Sequence, residues 1–330
     1  MKKAFVLILI LSVAISLAAC RKTGNNDILN TETSPTESTL PEAEKMHISV
    51  FDDIGGLALT KMKADRDYSY KFDYDKNIDT VIEKIKNGKT DFASLPVDEA
   101  QNLVSEYNNI RIIAITLIDN FFLISSDENF SSLRSIANYN NVAVGGANEN
   151  TKSIFKYILA ENGIEISDGM FSFSDNPEVV VNKANKSEIS ACILPEPYCA
   201  QVIFGNKDFK IITDFNAEYK KITGYDRPAC CVVTSNDLAD KNPDKVEEFL
   251  EFAQLSVNFI AKGTSNIKFL LTNKYFEDFT FCEYIVKSAG FSFITGNDME
   301  KMCNTYFETV NLNLPDTDKL QIPGKEFYYQ

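Results

Sequence analysis

Short apolar runs alternate along the chain with longer segments whose apolar residues recur at helical spacing. The apolar runs predict strands at 47–51, 68–72, 91–95, 110–116, 121–125, 142–144, 171–173, 189–194, 209–212 and 228–234. The segments of helical period predict helices at 57–64, 78–86, 96–107, 151–161, 177–184, 198–204 and, as several helices, from 243 to about 312. Such repeated βα units indicate an α/β fold in which largely parallel sheets are flanked by helices.

One segment, 141–163, joins an apolar strand, a glycine turn and an amphipathic helix that Asn162-Gly163 closes. Backbone N–H groups at a helix N-terminus have no partner within the helix and face any bound solute. The turn is therefore predicted to form one wall of a ligand cleft, made of Gly146, Ala147, Asn148, Asn150 and Thr151. On this segment alone the alternative is an ordinary strand-to-helix turn that Asn148 or Asn150 caps.

The chain begins with the basic pair Lys2-Lys3 and an apolar run, 4–19, that is too short to cross a membrane. The run ends in Leu17-Ala18-Ala19-Cys20, and the whole order resembles a bacterial lipoprotein signal. The resemblance implies cleavage after a signal peptide at 1–19, lipid on the Cys20 sulfur, and an extracytoplasmic protein anchored to the bacterial cell membrane. Residues 20–45 are poor in apolar residues and are predicted to be a flexible tether.

The formal net charge of −14 argues against a nucleic-acid partner and against electrostatic docking on anionic lipid. One histidine, His47, and the absence of C-x-x-C leave little means of building a His-rich metal site, so neither a metal nor a cofactor is expected. The cysteines after Cys20 lie mostly in apolar runs, which predicts buried free thiols, with a disulfide as the alternative in an exported protein. They are Cys192, Cys199, Cys230, Cys231, Cys282 and Cys303.

Four landmarks occur in a fixed order: IGGL at 54–57, IKNGKTDFASLP at 85–96, ILPEPY at 193–198, and VV at 232–233 leading into NPDKV at 242–246. Together they resemble the solute-binding proteins of ABC importers, of the nitrate, sulfonate, taurine and thiamine-precursor type, over residues 46–262. The resemblance implies a type II periplasmic-binding-protein fold, with two α/β lobes joined by crossings near 118–122 and 219–228. Lobe one would comprise 46–120 and 222–330, and lobe two 121–221. The chain departs from the family in having no tryptophan and an undistinguished loop at 51–54.

The same resemblance implies the function: a monomer that captures a small solute and delivers it to an ABC permease and its ATPase. The solute classes left open are a sulfonate, a nitrate-like anion, and a pyrimidine or zwitterionic organic nutrient, with a slight preference for an uncharged or zwitterionic one. A lipoprotein sensor or enzyme on the same scaffold is the alternative.

No catalytic set is complete, so no enzyme is expected. S-x-x-K at 153–156 and S-D-N at 174–176 would need K-T-G beside them, and K-T-G occurs only at 22–24, in the tether. Ser153 and Lys156 are instead predicted on the exposed face of their helix.

Four of the remaining expected ligand contacts each have two interpretations that the sequence does not separate. Glu196 either caps the following helix or lines the cleft; Tyr198 and Tyr225 either stack on a flat ligand or cover the hinge. Arg227 pairs either with an anionic ligand or with an acidic neighbour such as Asp226. The other expected contacts are Gly55, Gly56, Leu57, Leu95 and Pro96 from lobe one and Phe121 from a crossing.

Overall fold

The computed structural model describes residues 41, 44–119, 121–167, 169–263 and 265–330, the side chain of Ser105 excepted. The expected signal peptide, the lipidation site Cys20 and nearly all of the tether lie outside the described residues. The strands are β1 (Met46–Phe51), β2 (Tyr70–Asp75), β3 (Phe92–Pro96), β4 (Ile110–Ile118), β5 (Phe121–Ser125), β6 (Val142–Gly145), β7 (Phe171–Ser174), β8 (Ala191–Pro195), β9 (Lys210–Asp214), β10 (Pro228–Ser235) and β11 (Phe291–Ile294).

The helices are α1 (Thr60–Asp65), α2 (Ile78–Lys86), α3 (Val97–Tyr107), α4 (Glu149–Glu161), α5 (Pro177–Asn185), α6 (Tyr198–Gly205), α7 (Phe215–Thr223), α8 (Asn236–Lys241), α9 (Pro243–Lys262), α10 (Asn266–Thr272), α11 (Phe279–Ser288) and α12 (Gly296–Asn311). Short 3-10 helices lie at Gly55–Leu59, Leu133–Asn138 and Lys325–Phe327.

Lobe one is built on a six-stranded sheet in the order β11-β4-β10-β3-β1-β2. β1 pairs in parallel with β2 and β3, whereas β10 is antiparallel to both of its neighbours, β3 and β4. β10 runs in the reverse direction because it follows the segment by which the chain returns from the other lobe.

Lobe two is built on a five-stranded sheet in the order β7-β6-β8-β5-β9. β6 pairs in parallel with β7 and β8, and the entering strand β5 is antiparallel to β8 and β9. The expected fold class, two lobes with largely parallel sheets flanked by helices and joined by two crossing segments, is confirmed.

The largest core cluster runs through both lobes rather than stopping at the crossings. It includes Ile112 on β4, Phe155 on α4 and Phe307 on α12. The Ser153 hydroxyl on α4 donates a 2.6 Å hydrogen bond to the carbonyl of Val310 on α12. The two lobes are therefore packed against each other along the α4–α12 side.

Three sequence-based expectations about elements were wrong. β11 lies where only helices were expected; it is an edge strand that depends on pairing with β4. The second crossing was expected from residue 219, but α7 continues to Thr223 and ends at Gly224, whose φ of 83° suits a residue without a Cβ. Pro96 is the N-cap of α3 rather than its first helical residue.

The C-terminal tail, which has no period in sequence, packs on lobe one. Phe327 and Tyr328 are buried, and the Tyr329 N–H donates to the carbonyl of Ile112 on β4 at 2.9 Å. No helix of the described residues is both long and apolar enough to cross a membrane.

Candidate functional site

A cleft of about 890 Å³ lies between the two lobes. Its walls come from the segments that follow β1 and β3 in one sheet and β6 and β8 in the other, together with both crossings and residues 274–276. In open α/β sheets, ligands bind beyond the carboxyl ends of parallel strands, where loops from several strands converge. This cleft lies at such an edge of both sheets.

The structure brings most of the expected contacts together at this cleft. Those that line it are Leu57, Pro96, Phe121, Gly146, Asn148, Thr151, Glu196, Tyr198 and Arg227. The segments of the chain that carry them are far apart in sequence, and both lobes contribute.

The other expected contacts are not among the lining residues. Leu95 is 0% exposed and packs in the core, as Ala147 does, and Tyr225 packs against the same cluster. Gly55 and Gly56 are needed for packing instead: a Cβ on Gly55 would lie 2.7 Å from Cys230 Sγ, and one on Gly56 would lie 2.6 Å from the Phe51 carbonyl oxygen.

Asn148 and Asn150 contact the opposite lobe. Their side-chain amides donate to the carboxylate of Asp98, in the first turn of α3, at 2.7 and 2.9 Å, and Tyr306 Oη donates to the same carboxylate at 2.7 Å. Asn148 Oδ1 also accepts from the Thr151 N–H at 2.9 Å, so Asn148 caps α4. The Thr151 N–H, expected to be free for a solute, is therefore already paired.

The two crossings are joined by a buried ion pair. Arg227 Nε lies 3.2 Å from Asp119 Oδ2, with only 7% and 5% of the two side chains exposed. The Asp119 N–H also donates to the Arg227 carbonyl at 2.7 Å. Arg227 thus has an acidic neighbour as its partner, but the residue is Asp119; Asp226 instead binds Lys220 at 2.8 Å.

Glu196 meets both of its sequence-based interpretations. It is 2% exposed, and from the position before the N-cap Pro197 its Oε2 accepts the Ala200 N–H, in the first turn of α6, at 3.0 Å. Oε1 has no hydrogen-bond partner among the described residues, although the residue lines the cleft. Burial raises the pKa of this carboxyl to about 7, against smaller lowering effects from the Ala200 N–H and the nearby Ser288 hydroxyl. The Ser288 hydroxyl itself donates to the Tyr284 carbonyl at 3.0 Å, so it does not satisfy Oε1.

A second carboxylate, Asp53, faces the cleft from the loop after β1 and was missed in the sequence. Its Oδ1 accepts the Gly56 N–H at 3.1 Å, and burial raises its pKa to about 6. The signal that was available is its position: an acidic residue directly beyond the carboxyl end of a buried strand. Asp98 and Tyr306 were missed as well.

Aromatic side chains make up much of the cleft surface: Phe51, Phe121, Tyr198, Tyr275, Phe276 and Tyr306. Cys230 also lines it, and burial raises the pKa of this thiol to about 12, so the thiol stays protonated at neutral pH. Ser153 is buried rather than exposed as expected, while Lys156 is exposed.

All cysteines of the described residues are buried free thiols, as the apolar runs indicate. In the described ranges, no group of three or more His, Cys, Asp or Glu side chains is arranged to hold a metal ion.

Neither a protein-family model nor a curated protein matches the chain in sequence. Solved structures do match it. An ABC transporter protein from Parabacteroides distasonis superposes with a TM-score of 0.72 at 11% identity, covering 87% of this chain and 99% of that one. The periplasmic aliphatic sulphonate-binding protein SsuA from Escherichia coli gives 0.66 at 12% identity, covering 87% and 92%.

The periplasmic nitrate-binding protein NrtA from Synechocystis PCC 6803 gives a TM-score of 0.59 at 12% identity, covering 84% of each chain. At these identities the likeness shows the fold. The chain has the two-lobed fold of the periplasmic solute-binding proteins of ABC importers, as the order of its landmarks indicates.

Proposed function

We propose that the chain is an extracytoplasmic solute-binding protein that captures a small solute between its lobes and delivers it to an ABC permease and its ATPase. The observation that carries this proposal is the cleft of about 890 Å³, whose walls come from both lobes at the carboxyl ends of their strands. A ligand can drive lobe closure only if it makes additional contacts in the closed form, and a cleft of this construction provides them. The fold shared with sulphonate- and nitrate-binding proteins supports the same role.

The proposal includes the location of the protein and its attachment to the membrane. The signal peptide, 1–19, is removed, Cys20 is lipidated, and 20–45 tethers a monomeric binding domain to the membrane. Within that domain, lobe one comprises 46–120 and 222–330 and lobe two comprises 121–221.

The chemistry of the cleft supports binding rather than catalysis. Among the described lining residues there is no serine and no histidine, and the Cys230 thiol is held protonated by burial. Ser153, the residue of the S-x-x-K tripeptide, uses its hydroxyl to bind a carbonyl of α12. Of the residues that the S-x-x-K and S-D-N tripeptides supply, none lines this cleft.

The test is to isolate the native lipoprotein from its own cells, unfold it, and identify the released solute by mass spectrometry. That solute should raise the melting temperature of the emptied protein. At a thousand times its dissociation constant the stabilisation is about 4 kcal/mol, a shift on the order of 10 °C for a protein of this size. The loaded protein should also stimulate the ATPase of the importer in proteoliposomes.

Two results would contradict the proposal: a protein that carries no solute and is stabilised by no fraction of its growth medium, or an importer ATPase that does not respond to it. Anchoring is tested separately, since Cys20→Ala should abolish lipid labelling and signal-peptide processing. Unchanged labelling of that variant would refute the lipid site alone.

A further inference from the structure

Carboxylates dominate the interior of the cleft. Asp53 and Asp98 face it from lobe one, Glu196 from lobe two, and Asp119 from the first crossing. The only buried cation among the described lining residues is Arg227. Lys76 and Lys274 also line the cleft but are exposed, where solvent and salt screen their charges.

Arg227 is already neutralised by the protein. Asp119 pairs with its Nε at 3.2 Å, Asp98 also acts on its charge, and its guanidinium carbon lies 5.7 and 5.5 Å from the ring centres of Phe121 and Tyr306. Nε and Nη1 make no hydrogen bond within the described residues, and Nη2 donates to the Thr151 hydroxyl at 3.4 Å. An anion placed there would nevertheless face two carboxylates, so Arg227 is a poor anchor for a sulfonate or nitrate.

Glu196, unlike Arg227, is not paired with an opposite charge within the described residues. Its Oε1 is buried, lines the cleft and lacks a donor among the described residues, and a buried carboxylate oxygen without a donor is costly. No cationic side chain of the described residues is among the groups that act on Glu196 or on Asp53. The missing partner of Glu196 Oε1 is a hydrogen-bond donor, and a positive charge on that donor would also be attracted by Asp53.

The two carboxylates line the same cleft as the ring of Tyr198. Tyr198 follows Glu196 by two positions, and its pKa is raised by burial and then by the charges of Glu178 and Asp53. The charge of Asp53, from lobe one, therefore acts across the cleft on a residue of lobe two. Aromatic rings on this part of the wall also favour a cation, since an ammonium group is attracted to a ring face.

We propose that the solute carries a protonated nitrogen, an amine or a heteroaromatic base, which donates to Glu196 Oε1 from lobe two and faces Asp53 from lobe one. This inference rests on the proposed function, because it names the solute class of the same cleft. Contact with a carboxylate from each lobe is what allows such a solute to favour the closed form.

The experiment compares small amines with carboxylates of the same carbon skeleton, among them tyramine with 4-hydroxyphenylacetate and 2-phenylethylamine with phenylacetate, together with methanesulfonate and nitrate. Melting shifts are measured on the full-length protein in amine-free phosphate buffer at constant ionic strength. At least one amine should raise the melting temperature, while its matched carboxylate and the inorganic anions leave it unchanged.

Glu196→Gln and Asp53→Asn should each weaken binding of that amine by at least about tenfold, as expected for the loss of a charge-assisted hydrogen bond. Both replacements keep an oxygen that can accept the backbone N–H that the carboxylate accepts in the parent, from Ala200 and from Gly56 respectively. Folding is checked by the melting temperature without ligand. Glu128→Gln, at an exposed position outside the cleft, is the matched control and should bind as the parent does.

Binding of an anion and not of any amine would overturn this inference while leaving the proposed function intact. A panel in which no amine stabilises the protein also overturns it, as does an amine that binds both variants as tightly as the parent. Failure of the proposed function is recognised separately, by a native protein that carries no solute at all.

Discussion

Replacing Glu196 by glutamine should remove a pH dependence that this carboxyl imposes on stability. Burial raises its pKa from 4.5 to about 7 in the folded protein. Between these two values the folded state keeps a proton that the unfolded state has released, so the free energy of unfolding falls as pH rises. The stabilisation is fully present below about pH 4.5 and is lost by about pH 7.

The size of the effect follows from the same shift. At about 1.4 kcal/mol per pKa unit, a rise in pKa from 4.5 to about 7 corresponds to about 3 kcal/mol of unfolding free energy. Solvent screening does not reduce this value, because the side chain is only 2% exposed. A protein of this size changes its melting temperature by roughly 2–4 °C per kcal/mol, which gives roughly 6–12 °C. The glutamine side chain of the variant would be neutral throughout and would still accept the Ala200 N–H.

Calorimetry of parent and Glu196→Gln without ligand, at pH 4.5 to 8, measures the difference between their melting temperatures. This difference should grow in favour of the variant as pH rises, because the other titrating groups, Asp53 included, are common to both proteins. Glu128→Gln should show no such trend. A difference that is flat over the whole range would refute the reasoning, since it would mean that the Glu196 carboxyl is solvated or paired when ionised.

Two further variants test the contacts between the lobes. Ser153→Ala removes the 2.6 Å hydrogen bond to the Val310 carbonyl and should lower the free energy of unfolding by about 1–2 kcal/mol in urea denaturation, whereas an unchanged midpoint would mean that the bond contributes nothing. Asp98→Ala removes the acceptor of Asn148 and Asn150 and should shift the ligand-free protein toward an open form about tenfold, seen as a larger radius of gyration in X-ray scattering; an unchanged radius would contradict this.

The elements that the sequence predicts well are those that local burial and capping determine. β6 and α4 follow from an apolar run and a helical period, and Asn148 caps the helix as one of the two expected residues. β11 was missed because its four residues form an edge strand that exists only through pairing with β4. α7 was missed as a whole, because its residues from 219 onward were assigned to the crossing and the part before them is too short to show a helical period.

The walls of the cleft were predictable where a glycine turn or a landmark follows a strand, as at Gly146 and Glu196. Asp98 was not, because its importance comes from Tyr306, which lies 208 positions away in sequence and donates to it at 2.7 Å. Gly55 was predicted to contact the ligand but does not line the cleft. A glycine pair at a turn is equally consistent with close approach of a ligand and with close packing of the chain. Only the position of Cys230 shows that packing explains the glycine at position 55.

Glu196 shows why the two interpretations of one residue need not exclude each other. A carboxylate has two oxygens, and a helix N-terminus uses one of them, here Oε2 at 3.0 Å from the Ala200 nitrogen. That bond fixes the carboxyl in place and leaves Oε1 buried without a donor among the described residues. Capping therefore positions the group for a ligand: the same hydrogen bond that stabilises α6 holds an acceptor at the cleft, where a donor from a solute would relieve the cost of its burial.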